Sequence, residues 1–351
     1  MSASPFFEAA ERVVREAFDS DTVRRGSRGE WLADGWGAID QLGLFQALIA
    51  EEQGGLGIAY PDAADTLWLA GYWAVPLPLA EAMLGAALLS RAGLSAPSGP
   101  AILAPSDLTH LRKEQKRDGW LVEGNAARIP WARSATTIIL TAEIDAQPKI
   151  IALPVGSCSI VGGCNLAGEP RDHISFATIL PASSVGDMDQ GRSAVHTAAA
   201  VLRTVMIAGA AQRLLDMTLI FASEHQQFDG PIAKFQAIQQ NLAVLAGQAA
   251  LCRAAADMAA HALFVPGGQV TVAMAKARVG EAAALAAHVA HQVHGAIGFT
   301  GEYDLHLYSR RILAWREECG SEAQWHDIVG QACLDEPEGP WTLITCHGGV
   351  A

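Results

Sequence analysis

The sequence predicts an α+β protein in which helices, then short antiparallel strands, then helices again follow one another along the chain. Three observations carry this expectation. Half of the 351 residues are hydrophobic and 17% are charged, enough apolar surface for a sizeable core and too much for a disordered chain. Between about 98 and 182 the pattern changes to short runs rich in Val, Ile and Thr, punctuated by glycine. The flanking stretches are rich in Ala and Leu at helical spacing. These breaks divide the chain into a helical segment 1–96, a β segment 97–182, a helical segment 183–335 and a tail 336–351.

The elements follow in order. In the first segment Trp36, Ile39 and Gly43 share a helical face. Glu51–Gly57 (EEQGGLG) reads as a helix end running into a Gly-rich turn, and Glu81–Arg91 as a buried helix. In the second, strands are expected at Trp120–Glu123, Thr137–Thr141, Lys149–Pro154, Cys158–Val161 and His173–Leu180, forming a small antiparallel sheet or barrel. In the third, Leu215, Leu219 and Ala222 share a face, and Leu305, Tyr308, Ile312 and Trp315 form an amphipathic stripe. Asp229-Gly230-Pro231 forces a turn between two helices.

Charge and cysteine usage narrow the function. Lys+Arg is 24 against Asp+Glu 37, a net charge of −13, which gives no general attraction for phosphate backbones and argues against nucleic-acid binding. The charged N-terminal stretch lacks the apolar core of a signal peptide, and the uncharged run Ala282–Gly301 carries three histidines, so neither export nor membrane insertion is expected. Six scattered cysteines without C-x-x-C spacing fit reduced thiols in a cytoplasmic protein without a zinc site.

Three stretches carry candidate chemistry. Gln292–Phe299 (QVHGAIGF) places glycines at 295 and 298, where backbone amides can approach an anion; a helix cap and turn is the plainer reading. Phe228 and Phe235, around the turn at 229–231, either close the core or stack on a planar ligand. Glu317 and Glu318 precede Cys319-Gly320-Ser321, and a carboxylate at such a turn is either a general base or a solvated pair at a helix end. His288, His291 and His294 lack the carboxylate and HExxH spacing of a metal site.

In this order EEQGGLG with AVPLPLAE, NLAGEPRDHISF (165–176), QQFDGPIAKFQAIQ (226–239) and QVHGAIGFTGEYDLHLYSRR (292–311) resemble the acyl-CoA dehydrogenase family over nearly the whole chain, up to about Asp327. The resemblance implies an N-terminal helical domain, a central small antiparallel β-barrel and a C-terminal four-helix bundle. It also implies FAD, and a fatty or steroid-like acyl-CoA thioester as substrate. In the family a glutamate takes the α-proton while the β-hydride goes to the flavin, and a neighbouring subunit's QxxGGxGF loop and RxQFG arginine hold the ADP half. Those positions here are Gln292, Gly295, Ala296 and Gly298, with His225 at the arginine, Phe228 beside the adenosine, and Ser321 after the base turn.

The sequence departs from the family at three points. The arginine is His225 and the motif glycine is Asp229. The Trp-x-Thr that serves the flavin maps to Arg128 and Pro130, and Ala101–Trp120 is short for the usual flavin loop. The catalytic glutamate maps to Cys319, with Glu318 one residue earlier and no carboxylate in Ala194–Ile207, where some relatives carry the base. The expectation is a base-lacking subunit of a heteromer, as in α2β2 relatives, with a homologous partner subunit and an electron-transfer flavoprotein as acceptor. Two alternatives stay open: a homomeric enzyme using Glu318 as base, and a flavin-free scaffold or acyl-CoA-binding protein.

Overall fold

Pro5 at the first helical position and Ser4, whose side chain accepts from the Phe7 N–H, start the first helix in the way helix N-termini require. The computed structural model describes residues 4–105, 109–116, 119–144, 147–337 and 339–347. Five helices come first: α1 (Pro5–Ala17), α2 (Ser20–Gly26), α3 (Ala33–Leu42), α4 (Tyr60–Tyr72) and α5 (Leu79–Arg91). Eight strands follow: β1 (Ala101–Leu103), β2 (Thr109–Lys116), β3 (Gly119–Pro130), β4 (Thr137–Ile144), β5 (Gln147–Pro154), β6 (Cys158–Val161), β7 (Arg171–Leu180) and β8 (Val185–Asp187). The long helix α6 (Arg192–Glu224) leads into a two-stranded hairpin, β9 (Gln226–Gln227) and β10 (Gly230–Pro231). Then come α7 (Gln236–Ala262), α8 (Gly268–His294), α9 (Leu305–Trp315), α10 (Glu322–Asp335) and α11 (Pro340–His347).

The expected closed barrel is corrected to two open four-stranded sheets. One runs β1-β4-β5-β8 with β1 parallel to β4. The other runs β2-β3-β7-β6 and is antiparallel throughout. Closure needs paired rows at every seam, and three of the four edge strands are too short to give them: β1 and β8 have three residues each and β6 four, against eight in β2. Short edges also blunt pairing with other chains. The expected tail is corrected too. Its Pro340 begins α11, where a missing N–H has no intrahelical partner to lose, and Leu343 is buried.

Packing groups the chain into two units, residues 24–63 with 76–199, and residues 1–23 with 64–75 and 200–351. The first holds both four-stranded sheets, with Ile138, Ile139, Ile150, Ile151 and Ile174 in its core. The second is a bundle of long Ala-rich helices. Ala200 of α6, Ala273 and Ala277 of α8 and Trp325 of α10 form one core cluster, and Ala222, Ile232 and Val293 another. Small residues let these helices approach closely. A Cβ on Gly71 of α4 would lie 1.9 Å from the Met206 carbonyl oxygen of α6, and one on Gly209 of α6 would lie 2.0 Å from that of Trp68. Both glycines are therefore required by the crossing.

Candidate active site

The stripe Leu305, Tyr308, Ile312 and Trp315 buries one face of α9 and aims its C-terminal end into the bundle. The chain then turns through Glu317–Ser321 before α10 starts. Cys319 has φ +56° and Gly320 φ +93°, and a Cβ on Gly320 would meet the Trp325 indole nitrogen at 2.5 Å. Left-handed backbone at a cysteine is uncommon, so the surroundings must hold it. They do so through main-chain carbonyls. The Trp325 indole N–H donates to the Cys319 carbonyl at 3.0 Å. Lys276 of α8 donates to the carbonyls of Arg316 at 2.8 Å and Gly320 at 3.0 Å. Ser321 caps α10 in a reciprocal pair with Gln324.

Glu318 faces inward from this turn and meets a cation. Its carboxylate bonds the guanidinium of Arg203 at 2.9 Å. Arg203 lies on α6, is 4% exposed, and sits 5.7 Å from the centroid of the Trp315 ring. Cys319, at the position of the family's glutamate, is half-buried and next to this pair. Chemically, the turn offers a thiol, and a carboxylate already paired through one oxygen with a buried guanidinium. Ser321 is half-buried, its hydroxyl engaged in the α10 cap.

The second group of residues lies where α6 ends. Gln226–Pro231 fold back as the β9–β10 hairpin, and its two turn residues, Phe228 (φ +51°) and Asp229 (φ +66°), are both left-handed. Such turns favour Asn-Gly or Gly-Gly, so a phenylalanine here is strained. Phe228 is 88% exposed, with only the edge of Phe235 at 6.0 Å beside it. His225 is exposed and stacks on Phe221 at 4.8 Å, and Phe221 stacks in turn on buried His294 at 4.3 Å.

The loop after α8 completes this end of the bundle. Gly295 (φ +63°) closes the helix, with no atom within 4 Å of where a Cβ would stand, and Gln292, Ala296 and Phe299 are exposed. Gly298 is needed for a different reason: a Cβ there would sit 3.0 Å from His294 Cβ and 3.1 Å from Leu305. His294 donates from Nδ1 to the Ala290 carbonyl at 2.8 Å, and His291 Nε2 bonds the Ser309 hydroxyl at 2.8 Å. Burial lowers the pKa of both rings, so they are neutral at pH 7. The histidines at 291 and 294 are thus structural supports. The open space over Gly295, the exposed ring of Phe228, the outer face of Phe299, whose inner face stacks on His291 at 4.3 Å, and the exposed Gln292 fit a flat ligand that carries phosphate. The guanidinium that the family places at position 225 is missing.

The remaining sequence candidates belong to the other unit. Arg128 (φ +55°) sits in a bulge of β3 between Ala126 and Ile129, with its side chain exposed, while Pro130 is buried opposite Arg171. Neither offers a side-chain hydroxyl. The short flavin-loop stretch falls partly on residues 106–108 and 117–118, outside the described residues; the rest forms β1 and β2. That unit also has a cavity of about 440 Å³ lined by Trp36, Phe45, Gln46, Leu89, Asp40 and Ser90.

Arg203 and Lys276 are buried cations at this turn that the sequence reading missed. Their signal was a basic residue in a largely apolar helical run, AAAVLRTVMI for one and VAMAKARVG, with Arg278 beside it, for the other. A buried cation in such a run needs acceptors from elsewhere in the fold.

The model of the family "Acyl-CoA dehydrogenase, C-terminal domain" matches residues 189–334. The chain is 30% identical over 305 residues to acyl-CoA dehydrogenase IpdE2 of Mycobacterium tuberculosis, covering 86% of this chain and 85% of that protein. Its fold is similar to a solved structure of the ChsE4-ChsE5 complex from Mycobacterium tuberculosis. That match has a TM-score of 0.83 at 18% identity and covers 96% of this chain and 100% of the other. It is also similar to the Tcur3481-Tcur3483 steroid ACAD, with a TM-score of 0.81 at 18% identity over 94% of this chain and 97% of that one.

Proposed function

The chain belongs to the acyl-CoA dehydrogenase family, and from that premise we propose that it is the base-lacking subunit of an FAD-dependent acyl-CoA dehydrogenase that works with a homologous partner. The reaction desaturates an acyl-CoA thioester between its α- and β-carbons. The observation that carries the reading is the turn after α9, where Cys319 replaces the family's glutamate and the adjacent Glu318 is committed to Arg203. A carboxylate paired with a buried guanidinium is stabilised in its charged form and held towards that partner, which makes it a weak and poorly aimed base for a carbon-bound proton.

This chain's contribution lies at the other end of the bundle. Gln292, Gly295 and Ala296 present an open turn to the ADP half of the cofactor, with Phe228 and the outer face of Phe299 as flat surfaces and the exposed imidazole of His225 in place of the missing arginine. When bound, FAD supplies the acceptor for the hydride leaving the β-carbon. The base, and the hydroxyl absent at Pro130, come in this reading from the partner. Support for a partner comes from α7, an apolar helix long enough to span a membrane of which only 28% of the most apolar window is buried. Val244 and Met258 are exposed on it. The solved neighbours include a two-protein complex and a steroid enzyme, which supports a ring-bearing acyl group as the substrate class.

Purified alone, the chain should be colourless; co-expressed with a homologous subunit that has the arginine, threonine and glutamate, it should give a yellow, active complex. Glu318→Gln in that complex should leave turnover within a few-fold. A lone chain that carries stoichiometric FAD and oxidises a thioester would overturn the reading. A loss of about 10² or more in the Glu318→Gln complex would instead make Glu318 the base. No flavin band in any combination would leave a scaffold role.

A further inference from the structure

A lysine in the middle of an apolar bundle is costly to bury, and Lys276 is 1% exposed. It sits on the small-residue face of α8, with Ala273 and Ala277 beside it and Gly280 one turn on. Its ammonium reaches across 40 and 44 positions of sequence to the carbonyls of Arg316 and Gly320, the two ends of the turn that carries Glu318 and Cys319. Between those ends the Trp325 indole holds the Cys319 carbonyl. On either side of the turn, Arg316 is fixed by Glu322 at 2.7 Å and Ser321 by its cap. The main chain from 316 to 320 therefore has little freedom, and the left-handed Cys319 is the conformation this leaves.

We propose that Lys276 is a positioning residue: it clamps the 316–320 turn so that Glu318 is held against Arg203 and Cys319 keeps its left-handed backbone. The proposal rests on reading this turn as the vestige of the family's base turn, but its test does not. The clamp is charge-dependent. Hydrogen bonds from a charged donor are roughly twice as strong as neutral ones, so loss of the proton weakens both at once. The groups facing the ammonium are Cys319 and Glu318 on the turn, Glu322 on α10 and Arg203 on α6. Burial outweighs the attraction of the first three and, with Arg203, lowers the lysine's pKa to about 8. The proton is present at pH 7 and largely gone at pH 9.

Local and global stability then move in opposite directions. The unfolded chain keeps this proton up to the ordinary value of 10.5, while the folded chain releases it near 8. Between those values the unfolded state binds more protons, so this group makes the whole fold more stable as pH rises. The turn, by contrast, loosens.

The experiment is amide hydrogen exchange read by mass spectrometry on the full chain, corrected for the intrinsic pH dependence. The reporters are the amides of Glu317 and Glu318, bonded to the carbonyls of Ala314 and Trp315. Wild type and Lys276→Met are compared at pH 7, and wild type is followed from pH 7 to 9. We expect Lys276→Met to lose about tenfold or more of its protection in the peptide spanning 314–321 while α7 peptides are unchanged. Wild type should converge on it as pH rises. Equal protection at 314–321 in both proteins, or a loss shared by α7, would overturn the proposal. If Lys276→Met does not fold, the wild-type series decides: local loosening through pH 8 supports the clamp, and a flat profile removes it. Failure of the functional reading would show separately, as a colourless complex with the clamp intact.

Discussion

A guanidinium placed midway along an apolar helix needs a carboxylate, and Arg203 finds Glu318. Removing either partner alone strands a charge in a dry site. Glu318→Leu or Arg203→Met should each cost about 3 kcal/mol, read from the urea midpoint, while the double variant should come back to near wild type. Additive losses in the double variant would show that the pair is not an energetic unit. This pairing was only half legible beforehand. The sequence shows an arginine in an apolar run and two glutamates before a Gly turn, but the separation of 115 positions is bridged only by the packing of α6 against the end of α9. Lys276 was hidden for the same reason. Its acceptors are main-chain carbonyls, which carry no side-chain signature at all. The turn after α8 was readable, because Gly295 and Gly298 are fixed by local backbone geometry and packing.

At the scale of elements, alternation and glycine punctuation located β4, β5, β6 and β7 to within a few residues, and found the start of β3 but not its continuation to Pro130 past the bulge at Ala126–Ile129. The strands β1, β2 and β8 escaped. β1 and β8 are three residues long, and β2 (THLRKEQK) is a polar edge strand without the Val, Ile and Thr enrichment that marks a half-buried one. Parallel pairing of β1 with β4 has no local signal, since it depends on the β2–β3 excursion between them. Helix crossings divide in the same way. Gly209 and Gly247 both sit inside long helices, yet only the first meets a neighbouring backbone. Gly209→Ala should destabilise by about 3 kcal/mol through overpacking against α4, whereas exposed Gly247→Ala on α7 should stabilise by about 0.5–1 kcal/mol. Denaturant titration of the two variants checks both signs.

On the scale of the whole molecule, the helix–strand–helix order was legible because each segment has its own hydrophobic period. The grouping of residues 1–23 and 64–75 with 200–351 was not, because packing partners distant in sequence leave no mark on composition. The apolar surface left over is concentrated on the helical unit, on α6 at Leu219 and Ile220 and on α7 at Val244 and Met258. A net charge of −13 opposes self-association at long range, and the proposed partner subunit would cover this face.

The β9–β10 hairpin gives that assembly a simple reporter. Its tip holds an uncovered phenyl ring on strained backbone, the sort of exposed bend that digestive enzymes cut first. Limited treatment with chymotrypsin should nick the solitary chain after Phe228 before any other site, and the cut should slow at least tenfold once cofactor and companion subunit cover the ring. The same bend would then act as a built-in quality mark, with orphaned copies clipped and cleared while paired ones persist.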